Sequence, residues 1–118
     1  MTYTAPLLEQ LAAVADTLTI PFEVGLFTHA PPPATYLVAT PLTDGFEVFA
    51  DNTPEVEVEE VRLALYTQAN YLKMRDQITH ALIDAGVTIT ARRYVGYEPD
   101  TGYHHYSIDT ATYHPYQP

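Results

Sequence analysis

The chain has no cysteine, no tryptophan and a single serine, Ser107, and only 5 of its 118 residues are lysine or arginine. Without cysteine, disulfides, thiolate nucleophiles and cysteine-ligated zinc or iron–sulfur centres are excluded. The 5 glycines are scattered and form no phosphate-cradling loop. Fifteen acidic residues against 5 basic ones give a formal net charge of −10, which argues against gripping nucleic acid or an anionic membrane through a basic face. No apolar run approaches the ~18 residues of a membrane span, and Met1-Thr2-Tyr3-Thr4 lacks the basic start of a signal peptide. The expectation is a soluble protein of intracellular origin with no membrane partner. Hydrophobic residues make up 47% and charged residues 17%, too apolar for disorder. The length fits one domain, residues 1–118, large enough to bury its own core.

Helical spacing of Leu7, Leu11, Val14 and Leu18 predicts a first helix, capped by Thr4 with Pro6 in its first turn. Ile20, Phe22, Val24 and Leu26 share one parity and predict a strand reaching Thr28. Pro31-Pro32-Pro33 then reads as a stiff hairpin connection; no flanking basic residue completes an SH3-ligand motif. Two further strands are expected at Thr35–Thr40 and Phe46–Ala50, separated by a Thr43-Asp44-Gly45 turn, with a second turn at Asp51-Asn52-Thr53-Pro54. Glu55–Tyr66 is a long strand whose apolar parity changes, from Val56 and Val58 to Val61, Leu63 and Leu65. A bulge at Glu59-Glu60 would bring both sets to one face; alternatively the strand outruns its sheet and its first half faces a neighbouring molecule.

Thr67 or Asn70 caps a second helix with an apolar stripe of Tyr71, Met74, Ile78, Leu82 and Ala85, stopped by Gly86. A closing hairpin follows, with Val87, Ile89, Ala91, Val95 and Tyr97 alternating up to a Pro99-Asp100-Thr101-Gly102 turn and Tyr103–Tyr113 returning. The fold class is α+β, an antiparallel sheet packed by two helices in the order α-β-β-β-β-α-β-β.

Three constellations bear on chemistry. His105, Ser107 and Asp109 share a strand face and supply triad residue types, but no exposed nucleophile on a sharp turn and no oxyanion hole accompany them. His104, His105, Asp109 and His114, with Glu98 and Asp100 across the hairpin, suggest metal ligation. Adjacent strand residues point to opposite faces, however, so His104 and His105 cannot both ligate one ion. The residues therefore indicate no catalytic group, no metal, no cofactor and no enzyme; a small metal-dependent enzyme on the His104–His114 cluster stays as a rival. The carboxylates Glu55, Glu57, Glu59 and Glu60 read either as a solvated face that discourages edge pairing or as a surface meant to stay negative. Tyrosine is abundant, 10 residues, six of them beyond Arg93. Core packing absorbs two or three, and the surplus marks Tyr94, Tyr97, Tyr103, Tyr106 and Tyr113 as candidate subunit contacts.

The segments Tyr36–Asp44, Phe49–Pro54 and Val61–Thr67, with the hairpin Tyr94–Tyr106 and its Glu98-Pro99-Asp100-Thr101-Gly102-Tyr103-His104 run, resemble the tail-terminator proteins of long-tailed bacteriophages, also called tail-completion or tail-to-head joining proteins. The resemblance spans roughly Pro21 to Tyr113 and is carried by structural motifs. It implies a virion protein at the head–tail junction, present in the host cytoplasm during assembly. Such a protein forms a homo-oligomeric, hexameric ring that caps the tail tube, ends its polymerisation and meets the tube protein and the head connector or completion protein. DNA is present only in passage through the lumen, and Glu55, Glu57, Glu59 and Glu60 are candidates for a lining that repels phosphate. Rival readings are another head–tail completion component and an acidic DNA mimic that inhibits a basic host enzyme.

Overall fold

The structure, a computed structural model, describes residues 5–48 and 54–115. The expected cap Thr4, the end of the Phe46–Ala50 strand, the Asp51-Asn52-Thr53 turn and Tyr116 lie outside the described residues, as does the side chain of Glu55. The elements are α1 (Leu7–Thr17), β1 (Phe22–Val24), β2 (Thr35–Val48), β3 (Pro54–Thr67), α2 (Tyr71–Asp84), β4 (Thr88–Glu98) and β5 (Tyr103–Pro115). The five strands form one sheet in the order β1-β2-β3-β5-β4, antiparallel except for β1 beside β2. The α+β class with two helices on the sheet is the one expected.

Both helices cover the same face. Leu7, Leu11, Val14 and Ala15 of α1 and Ile78 and Leu82 of α2 pack on Leu37, Ala39, Val61, Leu63, Leu65, Tyr106 and Ile108 of the sheet. Register explains the choice of face, since Leu37 lies across from Leu65, Ala39 from Leu63, and Leu63 in turn from Ile108. Both helices end in the same way. In α2, Gly86 takes φ 82° while the N–H groups of Gly86 and Val87 donate to Ile83 and Leu82. In α1 the left-handed position is held by Thr19, φ 58°, with Thr19 and Ile20 donating to Asp16 and Ala15. A β-branched residue is strained there, where glycine is not. Asn70 caps α2 by accepting from the N–H groups of Leu72 and Lys73, while the Thr67 hydroxyl pairs with that of Thr35.

Five sequence expectations are corrected. Thr43-Asp44-Gly45 is not a turn: the strands expected at Thr35–Thr40 and Phe46–Ala50 are one strand, so three strands precede α2. Continuous pairing with β3 overrides the local turn preference of these residues. The bulge expected at Glu59-Glu60 sits in the partner strand at Leu42, between the Pro41–Val61 and Thr43–Glu60 pairs. Pro41 has no N–H to lose from the ladder, whereas β3 is paired on both sides and is regular from Val56 to Thr67; its own irregularity falls at Glu55, between the Glu47–Val56 and Val48–Pro54 pairs. The two parity sets of β3 therefore remain on opposite faces, Val61, Leu63 and Leu65 under the helices and Val56 and Val58 on the other. The Ile20–Thr28 strand shortens to three residues because Gly25 turns at φ 83°, and the proline loop is a crossover to a parallel neighbour rather than a hairpin. In β4, bulges at Thr90 and Val95 replace simple alternation, placing Ile89, Arg92, Tyr94 and Tyr97 on the helix side.

β2 and β3 have 14 residues each, about 46 Å at ~3.3 Å per residue, and set the long axis of a molecule measuring 54 × 25 × 24 Å. The far ends of β2, β3 and β5 run past the start of α1 as a three-stranded arm.

Two substitutions test this account. Leu63→Ala, at a site 1% exposed, lowers unfolding free energy by about 3 kcal/mol in urea titration. Thr19→Gly relieves the left-handed strain and raises stability by about 1 kcal/mol, whereas Gly86→Ala lowers it by a similar amount. Equal effects at positions 19 and 86 would contradict the matched helix ends.

Candidate functional site

The acidic run is divided by the fold. Glu57 and Glu59 lie on the helix side of β3, and Glu60 lies on the opposite face across from Thr43. Glu59 has a structural partner: its Oε2 accepts the backbone N–H of Leu7 at 3.1 Å. Pro6, at the N-cap position, supplies no side-chain cap, so a carboxylate 52 residues away does so and meets the positive end of the helix dipole. Sequence reading missed this bond because nothing local joins Leu7 to Glu59.

The tyrosines divide as well. Tyr103 and Tyr106 are each 6% exposed and are taken up by the chain's own packing. Tyr106 belongs to the core, and the Tyr103 hydroxyl donates to the Pro33 carbonyl at 2.6 Å, tying the proline loop to β5. Of the five candidate contacts, Tyr94, Tyr97 and Tyr113 remain on the surface. Tyr94 and Tyr97 surround His104 together with Tyr71, and the Tyr94 hydroxyl lies 3.0 Å from His104 Nδ1.

On the face away from the helices, an aromatic ladder crosses the sheet. Phe27 packs against Tyr36 (4.3 Å between centroids), Tyr36 stacks on Tyr66 (4.9 Å), and Tyr66 stacks on His105 (4.3 Å). Strand register creates it, because Tyr36 pairs with Tyr66 and Tyr66 with His105. Burial, followed by the neighbouring Tyr103, Tyr66 and Glu98, raises the Tyr36 pKa; burial and then Glu98 raise that of Tyr66. Burial lowers the His105 pKa, Glu98 pulls it back up, and Arg93 adds to the lowering.

His104 and His105 lie on opposite faces, and among the described residues no group of three or more His, Asp or Glu converges as a metal site. Ser107 is buried, and both carboxylate oxygens of Asp109 accept from Arg62, at 2.8 and 3.1 Å, rather than facing His105. On the face away from the helices, Arg62 and Arg93 line a depression of about 140 Å³ with Ser107, Asp109 and Ala91 beside Arg92, whose guanidinium reaches the helix side and donates to the Thr79 hydroxyl at 3.4 Å. A groove of about 420 Å³ between α1 and α2 is lined by Ala13, Ala81 and Ala85 together with Gln10, Val14, Thr17 and Asp84.

Two predictions follow from these contacts. Glu59→Ala removes the acceptor at Leu7 and destabilises by about 1 kcal/mol, while Glu59→Gln keeps an acceptor oxygen and loses less. For His105, an unfolded imidazole titrates near ~6.5 and the folded one at lower pH, so the unfolded chain binds more protons in that window. Its contribution to stability is complete above the unfolded pKa and is lost as pH falls from there through the folded pKa. Denaturant midpoints should therefore fall on acidification, and His105→Phe, which keeps a stacked ring, should flatten that slope. Identical slopes would count against a half-buried imidazole that is harder to protonate in the folded chain.

No protein-family model and no curated protein matches the chain. Among solved structures the fold is similar to that of a chain in "Virion of native gene transfer agent (GTA) particle". The match covers 92% of this chain and 91% of that chain, with a TM-score of 0.52 and 12% sequence identity. What the two chains share at that identity is the arrangement of helices and strands over nearly their whole lengths.

Proposed function

We propose that this chain is a structural subunit of a phage-like particle and, within it, a tail terminator. In this reading it forms a homo-oligomeric ring at the head–tail junction, ends tail-tube polymerisation and carries the contact between tube and head connector. The observation that supports it most is the fold shared end to end with a chain of a gene transfer agent virion. The sequence resemblance to tail terminators points the same way. An elongated sheet with free edges and exposed Tyr94, Tyr97 and Tyr113 suits repeated subunit contact better than catalysis. We read the chain as non-enzymatic, with Ser107 buried and Asp109 committed to Arg62. DNA passing a ring of subunits each carrying −10 meets repulsion rather than adhesion.

Quantitative mass spectrometry and electron microscopy of particles from a strain lacking the gene test the reading. The protein is expected in several copies per particle, and its loss is expected to give unjoined heads and tails of uncontrolled length. Absence from particles contradicts a virion role. Tails of normal length that fail to join heads would favour a neighbouring completion component over a terminator.

A further inference from the structure

We propose that the free edge of β4, over Ala91–Tyr94, docks the acidic β2–β3 arm of a second copy of this chain, so that copies join head to tail through unlike charges. This rests on the reading of the chain as a repeated subunit and names the two surfaces that would meet. Charge is distributed unevenly along the sequence. Residues 44–60 hold seven of the 15 acidic residues and none of the 5 basic ones. The basic residues are Lys73 and Arg75 in α2, Arg92 and Arg93 in β4, and Arg62 on β3. Two chains of net charge −10 repel in most orientations, and the repulsion is relieved where the basic strip of one faces the arm of the other. Among the described residues, Arg62 is paired with Asp109 and Arg75 with Asp76, while Arg92 and Arg93 have no carboxylate partner.

The edges fit the same pairing. β4 is the outermost strand, and its Arg92 and Arg93 are exposed. Bulges at Thr90 and Val95 interrupt it on either side, so Ala91–Tyr94 is the regular stretch whose outward backbone groups have no strand partner among the described residues. On the arm, β1 pairs with β2 only from Leu37 to Ala39. Pro41 and the Leu42 bulge then blunt the edge, and Thr43–Val48 continues with no described neighbour on that side. Free edges are ordinarily guarded by proline, bulges or charge; here the guards bound two short free windows whose surroundings carry opposite charge. Because the two windows are different surfaces of one chain, the contact is heterologous and propagates into a ring or filament instead of closing at a dimer.

Charge reversal in two separate proteins tests the pairing. Asp44→Lys/Glu47→Lys/Glu55→Lys/Glu60→Lys takes residues 44–60 from a formal −7 to +1, and Arg92→Glu/Arg93→Glu takes the edge pair from +2 to −2, with Glu57, the Glu59 cap and the Arg62–Asp109 bridge left in place; circular dichroism verifies the fold of each. In native mass spectrometry and sedimentation, wild-type chains should associate, at least about tenfold more weakly in high salt than in low. Each variant alone should associate at least about tenfold more weakly than wild type, and an equimolar mixture should recover most of the loss, because lysine arms then meet glutamate edges while native arms meet native edges. A mixture no better than either variant, or wild type monomeric at about 0.5 mM in low salt, overturns the proposal. A second test keeps the native charges and exploits the absence of cysteine. Thr43→Cys/Ala91→Cys treated with a short bis-maleimide should give a ladder of covalent oligomers, and products ending at the dimer overturn head-to-tail pairing. Mass spectrometry of particles separates the two readings: a chain present in particles whose variants fail to complement sinks the edge pairing alone, and complementing variants of a chain absent from particles sink only the virion role.

Discussion

Backbone pairing on both sides of β3 is what the other features hang on. Across Val56–Thr67 this strand hydrogen-bonds with β2 on one side and β5 on the other, and its register with β5 has no break. A strand held in this way cannot slip by one residue without turning every side chain to the other face. Along Val56–Thr67 the irregularities are therefore displaced outward, to Leu42 of β2 and to Thr90 and Val95 of β4, and the break in β3 itself falls beyond that span, at Glu55. The same register that puts Leu37, Leu65 and Tyr106 in one row beneath the helices puts Tyr36, Tyr66 and His105 in a row on the reverse face. Core and aromatic ladder are two sides of one alignment.

How much of this could be read in the sequence depended on whether the deciding interaction was local. Asn70 and Gly86 mark the ends of α2 because cap and stop act within a few residues; the stop was legible, and the cap was narrowed to Thr67 or Asn70. The closing hairpin was legible for the same reason. Thr43-Asp44-Gly45 carries local turn chemistry that a partner strand overrules, and Thr19 occupies a position that its own residue type disfavours. The parallel placement of β1 rests on three pairs of residues and leaves no pattern to detect. The parity change in Glu55–Tyr66 was visible, but its cause was not: from Val56 onward the strand is regular and presents apolar side chains to both faces.

The candidate site was legible as composition and hidden as geometry. An excess of tyrosine was plain, yet the division into interior Tyr103 and Tyr106 and surface Tyr94, Tyr97 and Tyr113 depends on bulges and loop packing. Tyr36 and Tyr66 lie 30 positions apart and meet because β2 and β3 pair antiparallel with those two residues opposite each other. The basic strip along β4 was not foreseen: Arg93 comes near Arg62 on one face, with Arg92 beside it on the other, only once β5 is inserted between β3 and β4.

The bond from Glu59 to the first turn of α1 gives the molecule a mechanical linkage. One carboxylate joins the root of the arm to the beginning of the helical layer. That carboxylate belongs to the strand at the centre of the sheet, so the first turn of α1 is fastened to the part of the backbone that is paired on both sides. A change at position 59 therefore reaches the strand layer and the helix layer at once.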